Sequence, residues 1–174
     1  RVLGDSALHV SEVDAIVEND MPLLEVPAAP PDPEADTIGG MVAEMVPDGA
    51  TIQMGVGAIP NAVCAFLRDR KDLGIHTEVL TRGMLDLIRH GAANGRKKSL
   101  HPRQAVFTFT IGDRDLYDAI DNSLLFESHP VDYVVNPAVI ARNANMFSIN
   151  AALQVDLYGQ VNAEWLNGHQ YTGT

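Results

Sequence analysis

Apolar positions along this chain change their period several times, and each change marks an element. In "DTIGGMVAEMV" the apolar residues Ile38, Met41, Val42, Met45 and Val46 recur at helical spacing, with Asp36 or Thr37 placed to cap the first turn and Pro47-Asp48-Gly49 to stop it. "ATIQMGVG" then reads as a strand entering a glycine turn, and "IPNAVCAFLRD" as a helix with Pro60 in its first turn. The alternation continues with "IHTEVL" as strand, "MLDLIRHG" as a helix closed by Gly91, "QAVFTFTIG" as strand and "DRDLYDAIDN" as helix. "VDYVV" is predicted as the next strand and "PAVIARNA" as a helix opened by Pro137. The stretch "MFSINAALQVDLYGQVNAEWL" reads as two strands joined by a turn at Tyr158-Gly159.

Strands alternating with helices predict an α/β fold, a mostly parallel sheet with helices on both faces. In such open sheets ligands sit beyond the carboxyl ends of the strands, where both "GVG" and "TEVLTRG" fall. Upstream, Ser11 and Asp14 ahead of "AIV" predict a short capped helix over residues 11–18. "MPLLEVPAAPPDPEAD" follows, with prolines at 22, 27, 30, 31 and 33, and reads as an extended strap because proline fixes φ and removes donors. Residues 1–36 are therefore expected to be the end of an upstream domain plus a linker, and 37–174 a second domain.

Composition narrows the chemistry. An apolar content of 46% and a mean hydropathy of −0.01 fit a globular chain, and no run of about 18 apolar residues predicts a transmembrane helix. The start has no basic segment followed by an apolar one, so no signal peptide is expected; lacking an initiator methionine, it fits a chain cut from a longer one. A formal charge of −11 argues against nucleic acid as a partner, so an anionic ligand would need local N–H groups or a few placed cations. "GRKKS", residues 95–99, is the one dense basic run and the best candidate to meet a phosphate. The single cysteine, Cys64, rules out an internal disulfide and points to a reducing, cytoplasmic compartment; within "NAVCAFL" it reads as a buried thiol. Six histidines occur without metal-ligand spacing, so no metal site is expected.

Two features could carry chemistry. The turn Gly55-Val56-Gly57 lets backbone approach a ligand, and the following helix start offers unpaired N–H groups able to hold a phosphate or an oxyanion. Glu78 is a carboxylate in a core-seeking strand, with His76 on the same face. Each has a plain structural reading: a tight turn without ligand, and a solvated strand carboxylate paired with Arg82. One helix and one strand separate them, however, which in a parallel sheet brings neighbouring strand ends together. A carboxylate beside an N–H-lined turn is a workable pair for covalent acyl chemistry.

The segments "GVGAIPNAV", "KDLGIHTEVL" with "GMLDL", "LYDAIDN", "VDYVVNPAVIA" and "SINAALQVDLYGQVNAE" with "GHQYTGT" resemble the acetyl-CoA hydrolase/transferase family, within it the 4-hydroxybutyrate CoA-transferase type. The resemblance spans nearly the whole chain. It implies a CoA-transferase-like open sheet built from two similar halves, of which this chain is the end of the first and the larger part of the second. It also implies that Glu78 is the nucleophile, passing through an acyl-glutamyl anhydride to a glutamyl-CoA thioester. Val56 would supply an oxyanion-hole N–H, and Gly55, Gly57, Ala58 and Gly83 would line the CoA and substrate site. Coenzyme A is implied as a substrate with no tightly bound cofactor, acyl-CoA and small carboxylates as partners, and a homo-oligomer as the assembly. Thioester hydrolysis, or CoA binding without turnover, are the alternatives. Arg82 stands where family members usually carry an acid, and Val135 where asparagine is common; Arg82 near Glu78 would hold the carboxylate ionised.

The resemblance also places a second oxyanion donor in a glycine-rich segment after "TGT". The 174-residue chain alone is accordingly expected to exchange CoA far more slowly than a full-length family member, as a side-by-side assay of CoA transfer would show.

Overall fold

The computed structural model describes residues 1–26, 30 and 32–172. The expectations for Pro27 and Pro31 in the strap, and for the closing Gly173-Thr174, lie outside the described residues.

The elements, in chain order, begin with β1 (Leu3–Gly4), α1 (Pro33–Met45), β2 (Thr51–Met54) and α2 (Ala58–Phe66). They continue with β3 (Gly74–Leu80), α3 (Arg82–His90), β4 (Ala105–Thr110), α4 (Arg114–Ile120) and β5 (Phe126–Ser128). Two single-turn helices, α5 (Val131–Val134) and α6 (Pro137–Ile140), lead to β6 (Met146–Ile149). Six strands form one sheet in the order β1-β5-β4-β3-β2-β6, every pair parallel. Successive strands from β2 to β5 step in one direction across the sheet, so right-handed crossovers put α2, α3 and α4 on one face. The return from β5 to β6 reverses direction and carries α5 over the other face, where it packs on β3 and β4. Two antiparallel hairpins, β7 (Gln154–Val155) with β8 (Val161–Asn162) and β9 (Trp165–Leu166) with β10 (His169–Gln170), close the chain. The first turns at Tyr158-Gly159 as predicted, with Gly159 at φ 82° and the Asp156 carboxylate accepting from the N–H of Tyr158 and Gln160.

Three expectations are corrected. Residues 11–18 form no helix beyond a 3₁₀ turn at Val10–Glu12; Ile16 and Val17 stay exposed, and so short a helix without a packed face does not sustain itself. "VDYVV" is helical, because Pro130 opens the turn and Val134 is driven into the core; the strand is instead the shorter and more polar Phe126–Ser128. Helix α1 starts at Pro33, capped by Asp32, whose carboxylate accepts from the N–H of Glu34 and Ala35. It turns its small residues Ala35, Gly39 and Ala43 inward and leaves Ile38, Met41 and Met45 exposed. At one edge of the sheet, β1 lies next to β5.

The core is continuous between the sheet and α1 to α3, with Ile52, Met54, Leu67, Ile75, Leu80, Met84, Leu87 and Phe107 fully buried. Close approach decides the α1–α2 contact. A Cβ on Gly39 would lie 2.7 Å from the Cβ of Ala62 and 3.0 Å from backbone atoms of α2, whereas one on Gly40 would meet only the Phe66 ring, at 3.8 Å or more. Gly39→Ala is expected to lower stability by about 1–3 kcal/mol through overpacking, whereas Gly40→Ala gains up to about 1 kcal/mol of helix propensity. Denaturant midpoints of the two variants check the contrast.

Candidate active site

Strand β2 stops one residue short of the level of Glu78. Thr51 pairs with Gly74 and Ile52 with Ile75, and the Thr77 hydroxyl is bonded to both backbone groups of Met54 at 3.3–3.4 Å. Carrying that register on sets Glu78 beside Gly55, at the start of the glycine turn. On its other side Glu78 falls between the pairs Thr77–Phe107 and Val79–Phe109, hence opposite Thr108. The carboxylate is exposed at the carboxyl edge of the sheet, and it makes no hydrogen bond or ion pair among the described residues.

Glu78 opens on a cavity of about 270 Å³. One wall is polar: the side-chain amide of Gln53 donates to Asn150 Oδ1 at 3.1 Å, Asn150 Nδ2 donates back to Gln53 Oε1 at 3.1 Å, and Ser148 donates to Gln53 Oε1. The facing wall is apolar, with Val134, Val135, Ile140 and Met146. His76 forms part of the lining, only 1% exposed; its Nε2–H donates to the Val134 carbonyl at 2.8 Å, and burial holds the imidazole below its ordinary pKa. A neutral ring with its proton on Nε2 leaves Nδ1 as a buried acceptor, and neither it nor the buried Thr108 hydroxyl has a partner among the described residues.

Comparison with known proteins fits this architecture. The family profile for the acetyl-CoA hydrolase/transferase C-terminal domain matches residues 112–174. The chain is 47% identical over 173 residues to the 4-hydroxybutyrate coenzyme A transferase of Clostridium kluyveri, covering 99% of this chain and 40% of that protein. It is 46% identical over 174 residues to the succinyl-CoA:cyclohexane-1-carboxylate CoA transferase of Geobacter metallireducens, again over 40% of that protein. The crystal structure of RipA from Yersinia pestis superimposes with a TM-score of 0.90 at 51% identity, over 98% of this chain and 39% of that one. The chain belongs to the acetyl-CoA hydrolase/transferase family. It spans about two-fifths of the length of the relatives it matches.

Within this family member the sequence-predicted residues separate into two groups. Glu78 and His76 share the cavity, and the glycine turn stands at its edge: Gly55 abuts Asn150, where a Cβ would come within 2.9 Å of Oδ1; Val56 is 59% exposed, and Gly57, at φ 126°, leads into Ala58 at the start of α2. Gly83 is elsewhere, packed on α2 so closely that a Cβ would lie 2.9 Å from that of Cys64. Cys64 is buried as predicted, and desolvation pushes its thiol up to about 12.

The expectation that Arg82 tunes Glu78 is corrected. As the first residue of α3, Arg82 pairs with Asp86 at 3.1 Å and with Asp113 and Asp115 at 2.8 Å, on the helix-covered side. The basic run is also not a phosphate site at this edge: Gly95 bonds to Leu73 just ahead of β3, at the amino edge, and Lys97 pairs with Asp72 at 3.7 Å. Sequence reading missed the Gln53–Ser148–Asn150 wall, although alternate residues of "SIN" after a strand start were the available signal.

Lys98 of that run is 5% exposed, and its Nζ donates to the carbonyls of Ile75 at 2.8 Å and Gln104 at 2.6 Å. Desolvation lowers its pKa to about 7, against an opposing pull from Glu127. Below pH 7 the folded and unfolded chains both hold the proton, and the penalty for burying the charge is fully present. Between about pH 7 and the ordinary lysine value only the unfolded chain holds it, so stability rises with pH, by about 1.4 kcal/mol per unit for this group. Lys98→Met is expected to remove that rise, as unfolding midpoints of the two proteins between pH 7 and 9 would show.

Proposed function

We propose that this chain carries the nucleophile of a CoA transfer between an acyl-CoA thioester and a small carboxylate. The observation that carries the reading is a carboxylate, Glu78, without a partner among the described residues, level with the Gly55-Val56-Gly57 turn and opening on a small half-polar cavity.

A Glu78 oxygen attacks the thioester carbonyl carbon, the C–S bond breaks, and CoA leaves as thiolate with an acyl-glutamyl anhydride formed. The thiolate then attacks the Glu78 carbonyl and expels the first carboxylate, giving a glutamyl-CoA thioester. An incoming carboxylate reverses both steps with its own acyl group and restores Glu78. No net proton moves. Each addition develops an oxyanion, and the Val56 N–H is the donor the turn offers for it; one such donor is worth about 3–4 kcal/mol of barrier. Neutral His76, tied to α5, braces the wall next to the nucleophile.

The cavity is too small for a whole CoA and suits a short acyl group, its carboxyl end towards Gln53 and Asn150 and its body against Val134, Val135 and Ile140. The similar proteins named for 4-hydroxybutyrate and for succinyl-CoA with cyclohexane-1-carboxylate agree with a compact acyl group, without dividing mono- from dicarboxylates. The exposure of Glu78 favours hydrolysis as the competing reaction, and CoA release with and without added acetate or succinate separates the two.

Glu78→Ala is expected to reduce CoA transfer by at least about a thousandfold. Borohydride added during turnover of the protein with acyl-CoA is expected to reduce Glu78 to the alcohol, read as a mass change on its peptide. Reduction at another residue would overturn the assignment.

A further inference from the structure

On the face of the sheet that carries Glu78, three side chains that the acyl chemistry does not use converge. The Glu127 carboxylate Oε2 lies 2.6 Å from His101 Nδ1 and 3.1 Å from His129 Nε2. All three ligand atoms lie within 4.8 Å of one another, the one such His/Cys/Asp/Glu group among the described residues. Neighbouring donors around a zinc-sized ion with bonds of about 2.0–2.1 Å stand about 3.3 Å apart, so little movement would admit one.

Several features fix these side chains. The Tyr133 hydroxyl bonds His101 Nε2 at 2.7 Å, which leaves Nδ1 turned to Glu127. The rings of His101, His129 and Tyr133 pack on one another with centroids 5.0–5.8 Å apart. His101 is held at φ 48°, a conformation a non-glycine residue keeps only when its surroundings impose it. The side chains are 15–23% exposed, open enough for an ion and one water to enter. Lys98, the cation whose charge reaches Glu127, has its Nζ tied to two carbonyls.

We infer that His101 Nδ1, Glu127 Oε2 and His129 Nε2 form a binding site for a divalent transition-metal ion of the zinc type, with water in the open position. Two imidazoles and one carboxylate are a donor set for such an ion, and not for calcium or magnesium. Binding moves the His101 proton from Nδ1 to Nε2, where it donates to the Tyr133 oxygen, so the tyrosine orients the ligand ring from behind. The register places the ion beside Glu78 at two strand spacings. Val106 is level with both His76 and Glu127, and Thr108 lies between Glu78 and the residue after β5, a separation of about 10 Å. With Tyr133 and Val134 on the same turn, the ion would brace α5 against the sheet and so fix the apolar wall of the cavity.

Titrating the chelator-stripped protein with Co²⁺ tests this. A single ion per chain is expected, with the visible absorption of low-coordinate cobalt, displaced by Zn²⁺. His101→Ala and His129→Ala should each abolish the signal, Tyr133→Phe should weaken binding about tenfold, and His169→Ala, an exposed histidine of β10, should leave it unchanged. Diethyl pyrocarbonate labelling of the unmutated protein, read by mass spectrometry, needs no variant to fold: Zn²⁺ should protect His101 and His129 but not His169. Absence of saturable uptake, uptake that survives the alanine changes, or labelling unaffected by Zn²⁺ would overturn the site.

Discussion

The parallel register of β2 and β3 is the constraint on which the remainder rests. It is held by backbone pairing and by the Thr77 hydroxyl bridging to Met54, and it ends where β2 ends. One residue later the chain has turned away through Gly55, and Glu78 is left with a strand on one side and open space on the other. A slip of one residue would turn Glu78 and His76 to the helix-packed face, burying a carboxylate without a partner. The register is thus fixed by the cost of every alternative as much as by its own hydrogen bonds.

The two faces of the sheet are built on different physics. Under α1, α2 and α3 the contacts are close and apolar, with Gly39 on Ala62 and Gly83 on Cys64 letting backbones approach. Under α5 the sheet carries His76, Glu78, Glu127 and, just past β5, His129, and the covering element is one short turn. Some polar groups on that face bond to backbone carbonyls or to each other, whereas Glu78, His76 Nδ1 and the Thr108 hydroxyl have no partner among the described residues. Charge is concentrated where packing is thinnest, which is where a ligand can compete for it.

Most of the sheet was legible because glycine and proline punctuate the change of hydrophobic period between β2 and α4. The failures have particular causes. Phe126-Glu127-Ser128 is too short and polar to announce a strand, whereas Val131 to Val135, with three valines in five residues, is helical behind Pro130 with Val134 buried. In α1 the larger apolar residues marked the wrong face, since shape and not hydropathy selects what touches α2. The position of Glu78 at a strand end could be read from the order of elements. Arg82's partners could not, because Asp113 and Asp115 come from the next helix unit and meet it only through α3 and α4. His101 and Glu127 meet only because the chain before β4 lies beside β5.

The order of the strands also sets a timetable. β2 to β5 are neighbours in the chain as they are in space, so they can pair through short crossovers, whereas β6 reaches β2 from 95 residues away at the Ser148–Gln53 contact. Loop closure over that distance makes the outer strands the costliest to dock. Until β6 arrives, β2 is a bare edge able to accept a strand from another molecule, and the polar wall of the cavity does not exist. Glu78 depends only on strands near it in the chain, whereas the Gln53–Ser148–Asn150 wall facing it exists only once β6 has docked.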